Sequence, residues 1–214
     1  MNVSNISQRR QIALKEGSAE YMAKRNELVE IAAARFKQAG YRATTLAEIG
    51  HKAGLDRATV YYYFGSKEEL FRECLRHGVA ENVSKCALIR NDTSRSARDR
   101  LEGVMHQLMS AYDENYPNMY VYIQEEMNRV ATEKSVWASE LNEQTRQFEH
   151  IVIELIGECQ ENGSIRSDIP VLLAANAIFG MLNWTHRWYT PGGKHTAKEV
   201  SGAFAAIYFD GMAT

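Results

Sequence analysis

Cysteine, proline and long apolar runs are all scarce in this chain of 214 residues, and each scarcity excludes a class of protein. The three cysteines, Cys74, Cys86 and Cys159, are odd in number, far apart and without a CxxC pair. That pattern argues against a disulfide framework and against a zinc site, and it fits buried thiols in a reducing cytoplasm. No run approaches the ~20 apolar residues of a membrane span, and the start, "MNVSNISQRRQIALKEG", lacks the apolar stretch of a signal sequence. A cytoplasmic protein with no membrane partner is expected. Catalytic motifs are missing as well: no GxSxG, HExxH, P-loop or dinucleotide pattern occurs, and the histidines are scattered. His150 and Glu154 share a helix face, but two groups make a poor metal site. No enzyme activity, catalytic residue, metal or cofactor is expected.

What is present is helix. Apolar residues make up 45% of the chain, enough for a sizeable core, and they recur every three or four positions, as in Leu28, Ile31, Ala32 and Phe36 or Val200, Phe204, Ile207 and Gly211. No stretch alternates with the period of a strand. Pro117, Pro170 and Pro191 each sit in a break, "NYPNM", "ENGSIRSDIP" and "YTPGGKH", and "NDTSRS" makes another. These breaks cut the C-terminal two thirds into about five helices, and residues 1–18 read as a flexible polar arm. The net charge of −2 hides a split: residues 1–70 hold 11 Lys+Arg against 8 Asp+Glu, and the remainder 14 against 19. A basic front on an acidic body suits a nucleic-acid contact at the N-terminal end, although any solvated surface can show such a split.

The front divides finely. A first helix is expected over residues 18–39, stopped by Gly40 in a left-handed conformation. Thr45 opens a capping box with Glu48 and a second helix to about residue 53. Gly54 then turns the chain, and Asp56 caps a short third helix ending near Phe64. Ser66 and Glu69 form another capping box that starts a long fourth helix. Two short helices about a Gly turn, braced on both sides, outline a helix-turn-helix domain.

Within "LDRATVYYYFGSKEEL" three consecutive tyrosines cover too much of a helix to be buried together. At ~100° per residue, Val60, Phe64 and the aliphatic part of Arg57 face inward against Leu46 and Ile49. Ala58 and Tyr62 then face out, flanked by Thr59 and Tyr61, with Tyr63 at the margin. Hydroxyls, a cation and a small alanine suit entry into a DNA major groove. Packing of the tyrosines on neighbouring helices is the alternative. Lys67, in the first turn of its helix, opposes the macrodipole unless an anion binds there, and a phosphate would supply one. Arg42 and Thr45 could grip the same backbone from the entrance to the second helix.

At these residues the chain resembles the tetracycline-repressor (TetR) family of bacterial transcription regulators, most closely along "AGYRATTLAEIGHKAGLDRATVYYYFGSKEEL". The resemblance implies an all-α protein with a three-helix helix-turn-helix domain over residues 19–66. A ligand-binding and dimerisation bundle over 67–214 follows, with 67–90 as connecting helix. It implies a homodimeric repressor, bound to a palindromic double-stranded operator and released by a small-molecule effector. It puts Thr45, Arg57, Thr59, Tyr61, Tyr62 and Lys67 at DNA-contacting positions, and Val60 and Phe64 in the core. Ala58 and Tyr62 depart from the glycine and histidine frequent in the family, which leaves the base preference open.

In the body, "VLLAANAIFGMLNWTHRWY" sets Ala174, Ala177 and Gly180 among larger residues, and "TAKEVSGAFAAIYFDGM" repeats apolar residues at helical spacing. The two helices fit a four-helix dimer seam, with an ordinary intramolecular core as alternative. Tyr112, Tyr116 and Tyr120, with Met105, Met109, Met119 and Met127, could line an adaptable apolar cavity or be plain core. The segment "MLNWTHRWYTPGG" is similar to one in TetR-family regulators of fatty-acid and sterol catabolism, several of which sense acyl-CoA thioesters. Trp184 and Trp188 would offer stacking surfaces and Arg187 a cation for such a ligand. A multidrug-sensing repressor of an efflux system is the alternative, and a helical binding protein without DNA binding a further one.

Overall fold

The computed structural model describes residues 18–116, 118–123 and 135–213. Most of the expected arm, Met127 and Pro117 therefore lie outside the described residues. Those residues form α-helices and one 3-10 turn: α1 (Ala19–Ala39), α2 (Leu46–Lys52), α3 (Arg57–Tyr63), α4 (Lys67–Asn91), α5 (Ala97–Glu114), α6 (Asn118–Val121), α7 (Val136–Glu161), α8 (Val171–Asn183), the turn Trp184–Arg187, and α9 (Ala197–Gly211). The chain is all-α, with a helix-turn-helix unit followed by a helical C-terminal unit. The boundary of the two compact units falls within α4, after His77.

Side-chain caps set where most of the helices begin. Ser18 accepts from the Tyr21 amide, Asp56 from Thr59, Ser96 from Asp99 and Ser135 from Ala138. Thr45/Glu48 and Thr196/Glu199 are complete capping boxes. The box expected at Ser66 is altered: Ser66 accepts from the Glu69 amide, but Glu69 reaches past it to the Gly65 amide at 2.8 Å. Gly40 ends α1 at φ 81°, ψ 157°, which is more extended than a left-handed helical stop and still a conformation for glycine.

In the first unit, Leu28, Ala32 and Phe36 of α1 meet Leu46 and Ile49 of α2, Val60 of α3, then Phe64, Leu70 and Phe71, all buried. Burial of each of the leucine, isoleucine, valine and phenylalanine side chains contributes roughly 1.5–3 kcal/mol. Gly50 sets the spacing of α2 and α3: a Cβ there would lie 2.6 Å from Val60 Cγ2. In the second unit α5 is central, packed on α7, α8 and α9. Leu101, Met105, Met109, Leu141, Leu155 and Phe209 fill that core.

Candidate nucleic-acid interface and ligand cavity

The Gly54 turn (φ 69°) and the Asp56 cap fix how α3 leaves α2. Val60 and Phe64 are fully buried, as the helical spacing requires. Arg57 is not on their face: it is exposed, and its Nη2 donates to the Tyr61 hydroxyl at 3.3 Å, one turn along the outer surface. Ala58 is exposed beside it. The outward place expected for Tyr62 also needs correction. Tyr62 and Tyr63 are half-buried and pack on Tyr21 of α1, with ring centroids 5.4 and 5.0 Å away. Tyr21 is itself buried, so α1 takes up part of two tyrosines that an isolated α3 would leave in solvent.

α1 holds α3 at a second point that the helical pattern missed. Arg25, 7% exposed, lies one turn after Tyr21; its guanidinium sits 4.0 Å from the Phe64 ring centroid and donates to the Tyr63 carbonyl. The only signal in the sequence was the four-residue spacing of Tyr21 and Arg25. Arg42 and Thr45 are exposed at the entrance to α2. The Thr45 amide and hydroxyl both donate to Glu48, which holds the Glu48 carboxyl below its usual range.

Lys67 has partners that the macrodipole argument did not foresee. Its Nζ donates to the carbonyls of Tyr41 at 2.8 Å, Thr44 at 2.9 Å and Arg42 at 3.5 Å. An anion is therefore not required to balance this cation; converging carbonyl dipoles do so.

A cavity of about 270 Å³ lies in the C-terminal unit. Its walls come from α4 (Val79, Asn82, Val83), α5 (Leu108, Tyr112), Met119, Tyr122 and Ile123, α7 (Thr145, Phe148, Glu149) and α8 (Asn176, Phe179, Asn183). Polar groups sit among the apolar ones: Tyr112 donates to Asn183 Oδ1, and Tyr122 hydrogen-bonds Thr145. Burial raises both phenols, so they stay protonated donors at neutral pH. Glu149 is the one charged residue among the described lining.

Of the ligand residues expected from sequence, Tyr112 lines this cavity, and Met119 does as well. Met105 and Met109 are buried core at 1% and 0% exposure. Tyr112, Tyr116 and Tyr120 do come together, but as an edge-to-face chain, in which the Tyr120 hydroxyl is bonded to Thr185. Trp184 and Trp188 are 59% and 48% exposed, and Arg187 lies over the Trp184 ring at the surface; none of the three lines the cavity. The second constellation is drawn from helices far apart in sequence, which periodicity within one segment cannot reveal.

The two helices expected at a dimer seam each leave an apolar face in solvent. On α8, Leu173, Ala177 and Gly180 are exposed at helical spacing, and Ile207 of α9 is 62% exposed. Ala174, by contrast, is buried within the unit.

No helix among the described residues is long and apolar enough to cross a membrane, and no cluster of three His, Cys, Asp or Glu among them could hold a metal.

The profile for bacterial regulatory proteins of the tetR family matches residues 28–74, and that for the tetracyclin repressor-like C-terminal domain matches 94–212. The HTH-type transcriptional repressor KstR2 of Rhodococcus jostii (strain RHA1) is 33% identical over 191 residues, 89% of this chain and 92% of that protein. The solved ketosteroid transcriptional regulator KstR2 of Mycobacterium tuberculosis is 30% identical, with TM-score 0.72 over 89% of this chain and 95% of that one. FadR of Bacillus subtilis, solved with stearoyl-CoA, superposes with TM-score 0.66 at 19% identity over 87% of this chain and 98% of that one, a likeness of fold alone.

Proposed function

Because this chain belongs to the tetR family of bacterial regulatory proteins, a DNA-binding transcription regulator and not an enzyme, we propose that it is a repressor released from its operator by an acyl-CoA thioester. The operator is a cytoplasmic palindrome bound by a homodimer, since one short α3 reads few bases and a two-fold axis doubles them. Arg57, Thr59 and Tyr61 meet base edges or phosphates, with Ala58 allowing close approach. Tyr62 and Tyr63 offer their exposed edges, and Arg42 and Thr45 flank the groove.

The observation that carries the effector reading is the cavity in the C-terminal unit. At about 270 Å³ it is slightly below the size of drug-like sites, so it suits a compact apolar acyl group and not a nucleotide. The charged part of the thioester stays outside, where Arg187 and Trp184 offer a cation and a stacking surface. The similarity to KstR2 repressors supports a catabolic role, and the stearoyl-CoA bound by FadR of Bacillus subtilis, a protein of the same fold, is in keeping with this class of ligand. A ligand weakens operator binding only through a preference between conformations, and ~1–3 kcal/mol of preference changes affinity roughly 5- to 150-fold.

One observation favours a second reading. Glu149 is the charged group of the described lining, and a carboxylate suits a cationic drug better than an anion. The test is a titration of long-chain and sterol-derived CoA thioesters against operator retardation and tryptophan fluorescence, with a cationic dye in parallel. Release by a thioester supports the catabolic repressor. Release by the dye alone replaces it with a multidrug sensor.

A further inference from the structure

Several polar side chains on the cavity wall already have partners: Tyr112 donates to Asn183 Oδ1, and Tyr122 bonds Thr145. Asn82 of α4 differs. It stands between Val79 and Val83, on a wall shared with Leu108, Phe148 and Phe179, and is itself only 7% exposed. Its Oδ1 takes two donors, Gln107 Nε2 at 3.4 Å and the Cys86 thiol at 3.7 Å. Burial pushes that thiol up to about 12, so it keeps the proton it donates. The Asn82 Nδ2 carries two hydrogens and has no acceptor among the described residues. Asn183 is half-buried and Asn176 exposed, so solvent can reach their amides. Asn82 is nearly enclosed, and the open space beside it is the cavity.

A ligand that fills this cavity displaces the solvent that meets those hydrogens. A purely hydrocarbon group would then strand a buried donor, which costs more than the bond itself contributes when made. A carbonyl or hydroxyl oxygen at that point removes the cost. The thioester's own carbonyl is poorly placed for it. Coenzyme A is too large for about 270 Å³ and stays on the exposed side, where Asn176 lies, whereas Asn82 lies on the enclosed side.

We infer that Asn82 is a specificity-determining residue: its Nδ2 donates to an oxygen carried on the buried part of the ligand, so the effector bears a keto or hydroxy acyl group and not a plain hydrocarbon one. This rests on the effector reading above. A site built around a hydrogen-bond donor rejects the analogue without the acceptor far more strongly than an apolar pocket rejects one methylene more or less.

Two measurements on the full chain test this. In the first, cyclohexylacetyl-CoA and its 4-oxo analogue, which differ only by a ring methylene replaced by a carbonyl, are titrated calorimetrically into the wild type and Asn82→Leu. The wild type is expected to bind the oxo compound about tenfold more tightly or better, the scale of one buried donor left unpaired. Asn82→Leu is expected to lose that preference, binding the oxo compound more weakly and the plain ring no worse. Equal binding of both by the wild type overturns the inference and leaves the thioester reading standing. A preference that survives in an Asn82→Leu variant melting like the wild type also overturns it.

The second measurement needs no variant. The Nδ2 hydrogens of Asn82 are followed by nitrogen-15 NMR in the wild type, with the oxo thioester, with 4-methylcyclohexanone and with methylcyclohexane. Both oxygenated compounds are expected to move these signals downfield, and methylcyclohexane is not. Signals unmoved by the oxo thioester and by the ketone overturn the inference. If neither thioester binds but the ketone moves Asn82, the thioester reading fails and the role of Asn82 stands.

Discussion

Arg25 Nη1 donates to the carbonyl of Tyr63, the last residue of α3, at 2.7 Å. The C-terminal carbonyls of a helix have no partner within it, so this bond caps α3 from α1 and ties its end to the first helix of the domain. Replacing Arg25 by Met keeps a long apolar stem over Phe64 but leaves that carbonyl unpaired. The expected cost is about 2 kcal/mol, with faster amide exchange confined to α3 and weaker operator retardation.

Two glycines within helices should respond oppositely to alanine. At Gly50 the new Cβ would lie 2.6 Å from Val60 Cγ2 and 3.1 Å from the Leu55 carbonyl oxygen, against a fully buried side chain and backbone. Overpacking of this kind costs about 1–3 kcal/mol and should spread α2 from α3, lowering the melting temperature and operator affinity together. At Gly157 of α7 no atom lies within 4 Å of the added Cβ, so Gly157→Ala should raise stability by up to ~1 kcal/mol through helix propensity. Thermal unfolding of the two variants gives the signs.

Filling the cavity should separate sensing from DNA binding. Val83→Phe puts a ring into a space of about 270 Å³ lined also by Leu108 and Tyr112. Operator affinity is expected to stay near that of the wild type while the response to effector is lost. An unchanged response to effector in this variant would count against an effector site in that cavity.

The exposed stripe on α8 and α9 is expected to be covered by a second copy. Ile207 is 62% exposed, and a carboxylate placed there would be buried across a two-fold seam without a partner. Ile207→Glu should sediment as a monomer at micromolar concentration, where the wild type sediments as a dimer.

The three thiols should be inert in the folded chain. Burial pushes Cys74 and Cys86 up to about 12 and Cys159 to about 11, so almost no thiolate forms at pH 8. A thiol reagent at pH 8 should therefore react only as the protein unfolds. Since each folded-state value is raised, the stabilisation present below the unfolded value of about 8.5 is lost as pH rises above it. Fast reaction of a native thiol would contradict this burial.

The helix-turn-helix unit was largely legible because its punctuation is local. Thr45 with Glu48, Gly54 and Asp56 each act within a few residues, and each fixes a start or a turn. The misreadings came from partners outside the segment. A helical wheel drawn for α3 alone turns Tyr62 to solvent, but Tyr21, forty-one positions earlier, covers one side of it. The partners of Lys67 escape a sequence reading because its acceptors are backbone oxygens, which no side-chain pattern encodes. The cavity is less legible still, since Asn82, Tyr122, Thr145 and Asn183 meet only through the packing of separate helices, and Met105, Met109 and Tyr120 of the Tyr and Met stripe are core.

The cavity draws its walls from α4 through α8, so no stretch of unfolded chain can reproduce it. A compound that fits there binds the folded protein alone, and mass action then raises the unfolding free energy by about 2.7 kcal/mol at one hundred times its Kd. A ligand of the cavity can thus be sought by melting the protein in the presence of metabolite fractions, and a hit supplies a candidate effector before any promoter has been mapped.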